Sequence, residues 1–149
     1  MGNRAVITNK AKEIGVYLHW NGGRDSVEAF LKYCELQQFR NPDQQNYGWA
    51  RLCQVISNFF GPDGLSVGID TLENLPSSRF LDNGIYIIEG WQIVGRELYG
   101  CEEVSECQEQ RVHSLPQMLK AIDEQQPADA QLFEDMDLVE IEQWLKQQN

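Results

Sequence analysis

His19, Asn21, Arg24 and Asp25 fall together in the run Tyr17-Leu18-His19-Trp20-Asn21-Gly22-Gly23-Arg24-Asp25-Ser26. An imidazole, an amide, a guanidinium and a carboxylate this close can move a proton or hold an anion, provided the backbone folds them onto one spot. The flanking residues suggest such a fold. A β-rich run leads into Gly22-Gly23, and a helical pattern begins at Asp25, with Glu28 three residues later as in a capping box. A strand that turns through glycine into a helix aims backbone N–H groups and the positive end of the helix dipole at one point, where a carboxylate or phosphate docks. The plainer reading is a simple turn with His19 and Trp20 packed against a sheet. The run lacks the Lys of a phosphate loop.

Nucleophilic catalysis needs a nucleophile, a base and an orienting group within hydrogen-bond reach. Two triads can be drawn on paper, Cys53 with His19 and Asp70, and Ser26 with His19 and Asp25. Neither carries a recognisable local signature, and Cys53 falls mid-helix at a core position. Cys34 and Cys53 read instead as reduced core thiols on the apolar faces of two helices. Zinc is the one cofactor with candidate ligands: Cys101, Cys107 and His113, spaced by five residues each time. Structural zinc sites pair their cysteines more closely, so the competing reading is an acidic loop with incidental Cys and His. Otherwise no cofactor is expected.

The net charge of -11 is uneven: residues 101–149 hold 12 of the 23 acids and only 3 of the 12 bases. The densest part runs through Glu134, Asp135, Asp137, Glu140 and Glu142, interleaved with Leu132, Phe133, Met136 and Leu138. Such a run is either a solvated face, with Asp137 and Glu140 capping a last helix, or a surface offered to a basic partner. Direct nucleic-acid binding needs a basic stripe, whereas Arg4, Arg24, Arg40, Arg51, Arg79 and Arg96 are scattered singly.

The elements that must position these groups follow from periodicity. Ala5 to Thr8 and Ile14 to Trp20 predict a hairpin, and Leu65, Val67 and Ile69 a third strand. Ile85 to Ile88 and Trp91 to Val94 predict two more, turning through Glu89-Gly90. Helices are expected from Asp25 to about Phe39, then with Trp49, Leu52, Cys53, Ile56 and Phe60 on the apolar face until Gly61-Pro62, then from Ser114-Leu115-Pro116, and finally from Asp137 to Gln148. Leu72 to Asn83 reads as an exposed loop. The order ββααβββαα makes an α+β domain, a small antiparallel or mixed sheet of about five strands with helices packed on one face. One domain is expected over 1–149, with an α+β core to residue 100 and an acidic helical third packed on it.

Hydrophobic residues make up 42% of the chain and charged residues 23%, a globular composition. No run is long enough to span a bilayer, no signal peptide is visible, and Val6 stands where a myristoylation motif wants Ser or Thr. A cytoplasmic protein is expected.

Gly2-Asn3-Arg4-Ala5-Val6-Ile7-Thr8, followed by Tyr17-Leu18-His19-Trp20-Asn21-Gly22-Gly23, resembles the start of small uncharacterised proteins of bacterial phages and integrative mobile elements. Tyr47-Gly48-Trp49-Ala50-Arg51 and Tyr86-Ile87-Ile88-Glu89 extend the resemblance to about residue 97. It implies a genomic setting and assigns no catalytic role. With the acidic third, it leads to an acidic protein-binding module of mobile-element origin. Its partner would be a protein with a basic, nucleic-acid-binding surface, such as a host defence nuclease, and anti-CRISPR inhibitors are one such class. His19, Trp20, Asn21, Arg24 and Asp25 are the other candidate binding residues. The alternative is a small hydrolase or metal-dependent enzyme centred on the His19–Asp25 loop.

Overall fold

The computed structural model describes residues 2–62, 66–100 and 113–148. Leu65 of the expected third strand, and Cys101 and Cys107, lie outside them. The architecture is α+β, a five-stranded mixed sheet with four helices in the expected order.

β-branched residues buried on both faces make Ala5–Asn9 (β1) and Ile14–Leu18 (β2) an antiparallel hairpin, with Val6 opposite Tyr17 and Ile7 opposite Val16. The turn closes through Lys12, whose φ is 57°, and through the Asn9 side-chain oxygen, which accepts from the Glu13 N–H at 3.0 Å. Val67–Thr71 (β3) pairs antiparallel with β2, Ile85–Glu89 (β4) parallel with β1, and Gln92–Glu97 (β5) antiparallel with β4. The strand order is β3-β2-β1-β4-β5. The last hairpin turns one residue later than expected: Glu89 faces Gln92, so Gly90 and Trp91 form the turn. Gly90 takes the positive φ (60°) that this turn needs. Trp91 thus leaves the strand and donates its indole N–H to the Phe39 carbonyl at 3.3 Å.

Alternation sends Ala5, Ile7, Val16, Leu18, Tyr86 and Ile88 to one face, where they join the buried residues of Arg24–Leu36 (α1), Asn46–Phe60 (α2) and Leu115–Glu124 (α3) in a single cluster. The opposite face carries Val6 and Ile85, and here the sequence reading needs correction. Leu72 to Asn83 is exposed over much of its length, as expected, but it is not a free loop. It makes two short 3-10 turns, at Leu72–Asn74 and Ser78–Phe80, and packs Leu72, Leu75 and buried Leu81 against Val6, Ile85 and Tyr17. Their spacings of three and then six sustain neither a strand nor a helical pattern, so no periodicity announces them. The segment is also fastened at its end: the Arg4 N–H and guanidinium both donate to one oxygen of Asp82, which holds that carboxyl below its ordinary range.

The capping box expected of Asp25 and Glu28 does not form. Gly23 is the N-cap of α1, and Asp25 lies in the first turn. Its carboxylate accepts from the Ser26 N–H at 2.8 Å and the His113 N–H at 2.9 Å, while Glu28 pairs with Arg24 at 2.7 Å. α1 ends at Leu36, short of Phe39, because Gln38 adopts a φ of 60°. The expected capping by Asp137 and Glu140 does form and starts Leu138–Gln147 (α4), and α3 starts at the expected Ser114 through a box with Gln117 that the sequence reading did not name.

Cys34 is wholly buried in α1, Cys53 is half-buried in α2, and both are free thiols. Burial raises both above the ordinary thiol range, which disfavours the reactive thiolate. A maleimide added to the folded protein is therefore expected to spare Cys34 until denaturant is present and to reach Cys53 first, read by peptide mass mapping. Prompt modification of Cys34 without denaturant contradicts the packing of α1.

Candidate functional site

Residues 19–23 form the junction between β2 and α1, as the glycines suggested. Gly22 is enclosed by backbone. Its N–H donates to the Asn3 carbonyl at 2.8 Å, its carbonyl accepts from the buried Tyr86 hydroxyl at 2.7 Å, and a Cβ there would lie 2.8 Å from the Ala5 Cβ. Asn21 takes a left-handed φ of 56°, which its short amide tolerates, and donates to Ser26 Oγ at 3.3 Å. His19 Nδ1 lies 3.0 Å from the Tyr17 hydroxyl, and its ring meets the edge of Trp20, which is 44% exposed.

The polar groups of this junction point at different neighbours. Arg24 is paired with Glu28, buried Asp25 faces Ser26 and His113, and His19 faces Tyr17. Ser26 Oγ contacts Asn21 and, at 3.8 Å, the Met118 sulfur. Among the described residues neither Ser26 nor Cys53 bonds His19, so neither triad assembles. The hollow beside His19, about 490 Å³, is lined by Tyr17, His19, Ser66, Val67 and Gly68, with no carboxylate or thiol. General acid–base work requires the base within hydrogen-bond reach of the proton it takes, directly or through one water. The described hydroxyl within hydrogen-bond reach of His19 is that of Tyr17, not that of Ser26.

Of the zinc candidates only His113 is described. It is exposed, with Nδ1 3.4 Å from an Asp25 oxygen. Among the described residues no three His, Cys, Asp or Glu cluster as metal ligands.

The acidic residues occupy a separate place. α3 runs alongside α1 in the same direction, Ser26 meeting Met118 at one end and Tyr33 meeting Asp123 at the other. The chain then returns across the far end of α1, where Gln37 donates to the Ala130 carbonyl at 2.7 Å, and α4 docks through buried Ile141 and through Trp144 against Phe133. Glu134, Asp135, Asp137, Glu140 and Glu142 are all exposed. Three of them, Glu134, Asp135 and Asp137, line a hollow of about 440 Å³ with Lys120 and Glu124. Thirteen helical residues span about 20 Å, so the two candidate sets sit at opposite ends of α1 and do not form one site.

Two further groups of residues escaped the sequence. Asp123 is 2% exposed and accepts from the Tyr33 hydroxyl at 2.6 Å and the Leu132 and Phe133 N–H groups at 2.8 and 2.9 Å. Its spacing of four from Leu119 places it on the buried face of α3, a signal that an acid there has internal donors. Arg40 and Arg51, expected to be scattered singly, flank one hollow of about 620 Å³ with Phe39, Tyr47, Gln38 and Gln54.

Comparison with protein families, curated proteins and solved structures finds no match. The functional reading rests on the chain's own chemistry. No described helix is long and apolar enough to cross a membrane.

Proposed function

We propose that this protein is an acidic protein-binding module that occupies a basic surface on a partner protein. One observation carries the reading: Glu134, Asp135, Asp137, Glu140 and Glu142 are exposed together, and among the described residues none is in a salt bridge. Asp137 and Glu140 accept from backbone N–H groups at the start of α4 and keep their charge facing water. In a chain of net charge -11 this concentration steers a basic surface inward and repels a phosphate backbone. The resemblance of the chain up to about residue 97 to mobile-element proteins makes a host defence nuclease the partner class to test, with the anti-CRISPR mode as its sharpest form. The His19–Asp25 junction, at the other end of α1, is a second contact surface in this reading, with Trp20 as its exposed aromatic.

Capture from host lysate with mass spectrometry names the partner, and association kinetics then test the mechanism. Wild-type association should slow as salt rises, because attraction between exposed charges is screened over about 8–10 Å. Converting the five acids to their amides should slow association about tenfold or more at low salt. The fold should survive, since Asn at position 137 still caps α4. Association at the wild-type rate at both low and high salt rules out the electrostatic reading.

A further inference from the structure

The hollow between residues 38–40, just past α1, and α2 is built by close packing. After α1 the chain turns through Asn41-Pro42-Asp43, where Asp43 N–H meets the Asn41 side chain at 2.8 Å and the Asp43 carboxylate accepts from the Gly90 N–H at 2.6 Å. Gly48 lets this turn rest directly on the first turn of α2, since a Cβ there would collide with the Arg40 carbonyl and lie 2.9 Å from Pro42. Arg40 is thereby set beside Tyr47. Tyr47, Arg51 and Gln54 follow at helical spacing and share the facing side of α2.

The Arg40 guanidinium lies 4.8 Å over the Tyr47 ring and that of Arg51 5.4 Å over Phe39. Each guanidinium gives one N–H to a neutral amide, Arg40 to Gln45 at 3.0 Å and Arg51 to Gln54 at 2.8 Å. Among the described residues neither meets a carboxylate. Arg4, Lys10, Lys12, Arg24 and Lys32 all do. In a chain with 23 acids and 12 bases, two cations that line one hollow and are held against neutral partners are set for an anion from outside.

We infer that this hollow binds a nucleoside monophosphate, with the phosphate between Arg40 and Arg51 and the base on the outer face of Tyr47. Two guanidiniums match the double charge of a phosphate monoester better than the single charge of a carboxylate. A volume of about 620 Å³ far exceeds what inorganic phosphate fills and suits a small ligand with a ring. Tyr47 is 60% exposed and supplies a stacking platform. A nucleic-acid polymer, charged at every phosphate, is disfavoured by the net charge of -11 far more than a single nucleotide is.

Calorimetric titration of the full chain with AMP, GMP, CMP and UMP, alongside inorganic phosphate, adenosine and benzoate, tests this. At least one monophosphate should bind one to one, about tenfold or more tighter than any of the three fragments. Arg40→Gln and Arg51→Gln should each weaken it about tenfold, and Tyr47→Ala should weaken it while leaving phosphate binding unchanged. Circular dichroism checks the fold of these exposed-site variants. The inference is overturned if no monophosphate binds at millimolar concentration, if phosphate or benzoate binds as tightly, or if both arginine variants keep wild-type affinity. The variant with its five C-terminal acids amidated should retain nucleotide affinity, so failure here leaves the partner reading standing.

Discussion

Asp123→Ala should lower stability by about 3–5 kcal/mol and the melting temperature by about 10 °C. The carboxylate is buried at the end of α3 and satisfies three donors at once: the Tyr33 hydroxyl on α1 and the N–H groups of Leu132 and Phe133 in the returning chain. Truncation strands all three in an apolar setting, and each unsatisfied donor costs about 1–3 kcal/mol. Asn at position 123 keeps one acceptor oxygen and should lose less. The neighbouring Gln126 tolerates no such loss either, since its amide donates to the carbonyls of Val55 and Ile122 at 3.1 Å and accepts from Asn58 at 2.9 Å. The same site sets an alkaline limit. Burial raises the Tyr33 hydroxyl above its ordinary value of 10.0, so this contribution is complete below pH 10 and is lost above it, as the unfolded chain releases a proton that the folded one retains. Thermal melts from pH 8 to 11 check both points. An Asp123→Ala protein that melts with the wild type would show that the returning chain is not held there.

Gly22→Ala should cost about 3 kcal/mol, the upper end of what overpacking a rigid site incurs. The added methyl would collide with the Asn3 carbonyl oxygen and lie 2.8 Å from the Ala5 Cβ and 3.0 Å from the Ala5 nitrogen. Two backbone atoms and a Cβ fixed to the backbone cannot rotate away as a flexible side chain does. Relief requires the segment before β1 to shift, which weakens the bond from the Tyr86 hydroxyl to the Gly22 carbonyl and displaces the loop that carries His19 and Trp20. Urea denaturation measures the loss. In contrast, Gly61→Ala meets no neighbour within 4 Å and suffers only the strain of its φ of 75°. Equal midpoints for Gly22→Ala and the wild type would mean that the junction is looser than its packing implies.

The fold was legible where one period governed a whole element. Val6 and Ile7 against Val16 and Tyr17, the Asp137–Glu140 box and the Gly61 stop are local statements, written within a few residues of where they act. The cover formed by Leu72, Leu75 and Leu81 was illegible because irregular backbone imposes no spacing on its apolar residues. Asp25 misled for a related reason. Its distance from Glu28 fits a capping box, but the His113 N–H, 88 positions away, holds its carboxylate. The candidate sites divide in the same way. The exposure of the C-terminal acids was implied by their density, whereas the placing of Arg40 and Arg51 on one hollow depends on the tight turn that Gly48 permits.

The parallel pairing of β1 with β4 governs what happens during synthesis. Lys10 and Glu89 bridge these central strands and are 79 positions apart. A ribosome adds about 5–20 residues each second, so the outer edge of β1 waits on the order of ten seconds for its partner. Throughout that wait Val6 and Ile7 lie on an unpaired edge, a template for any neighbouring nascent chain.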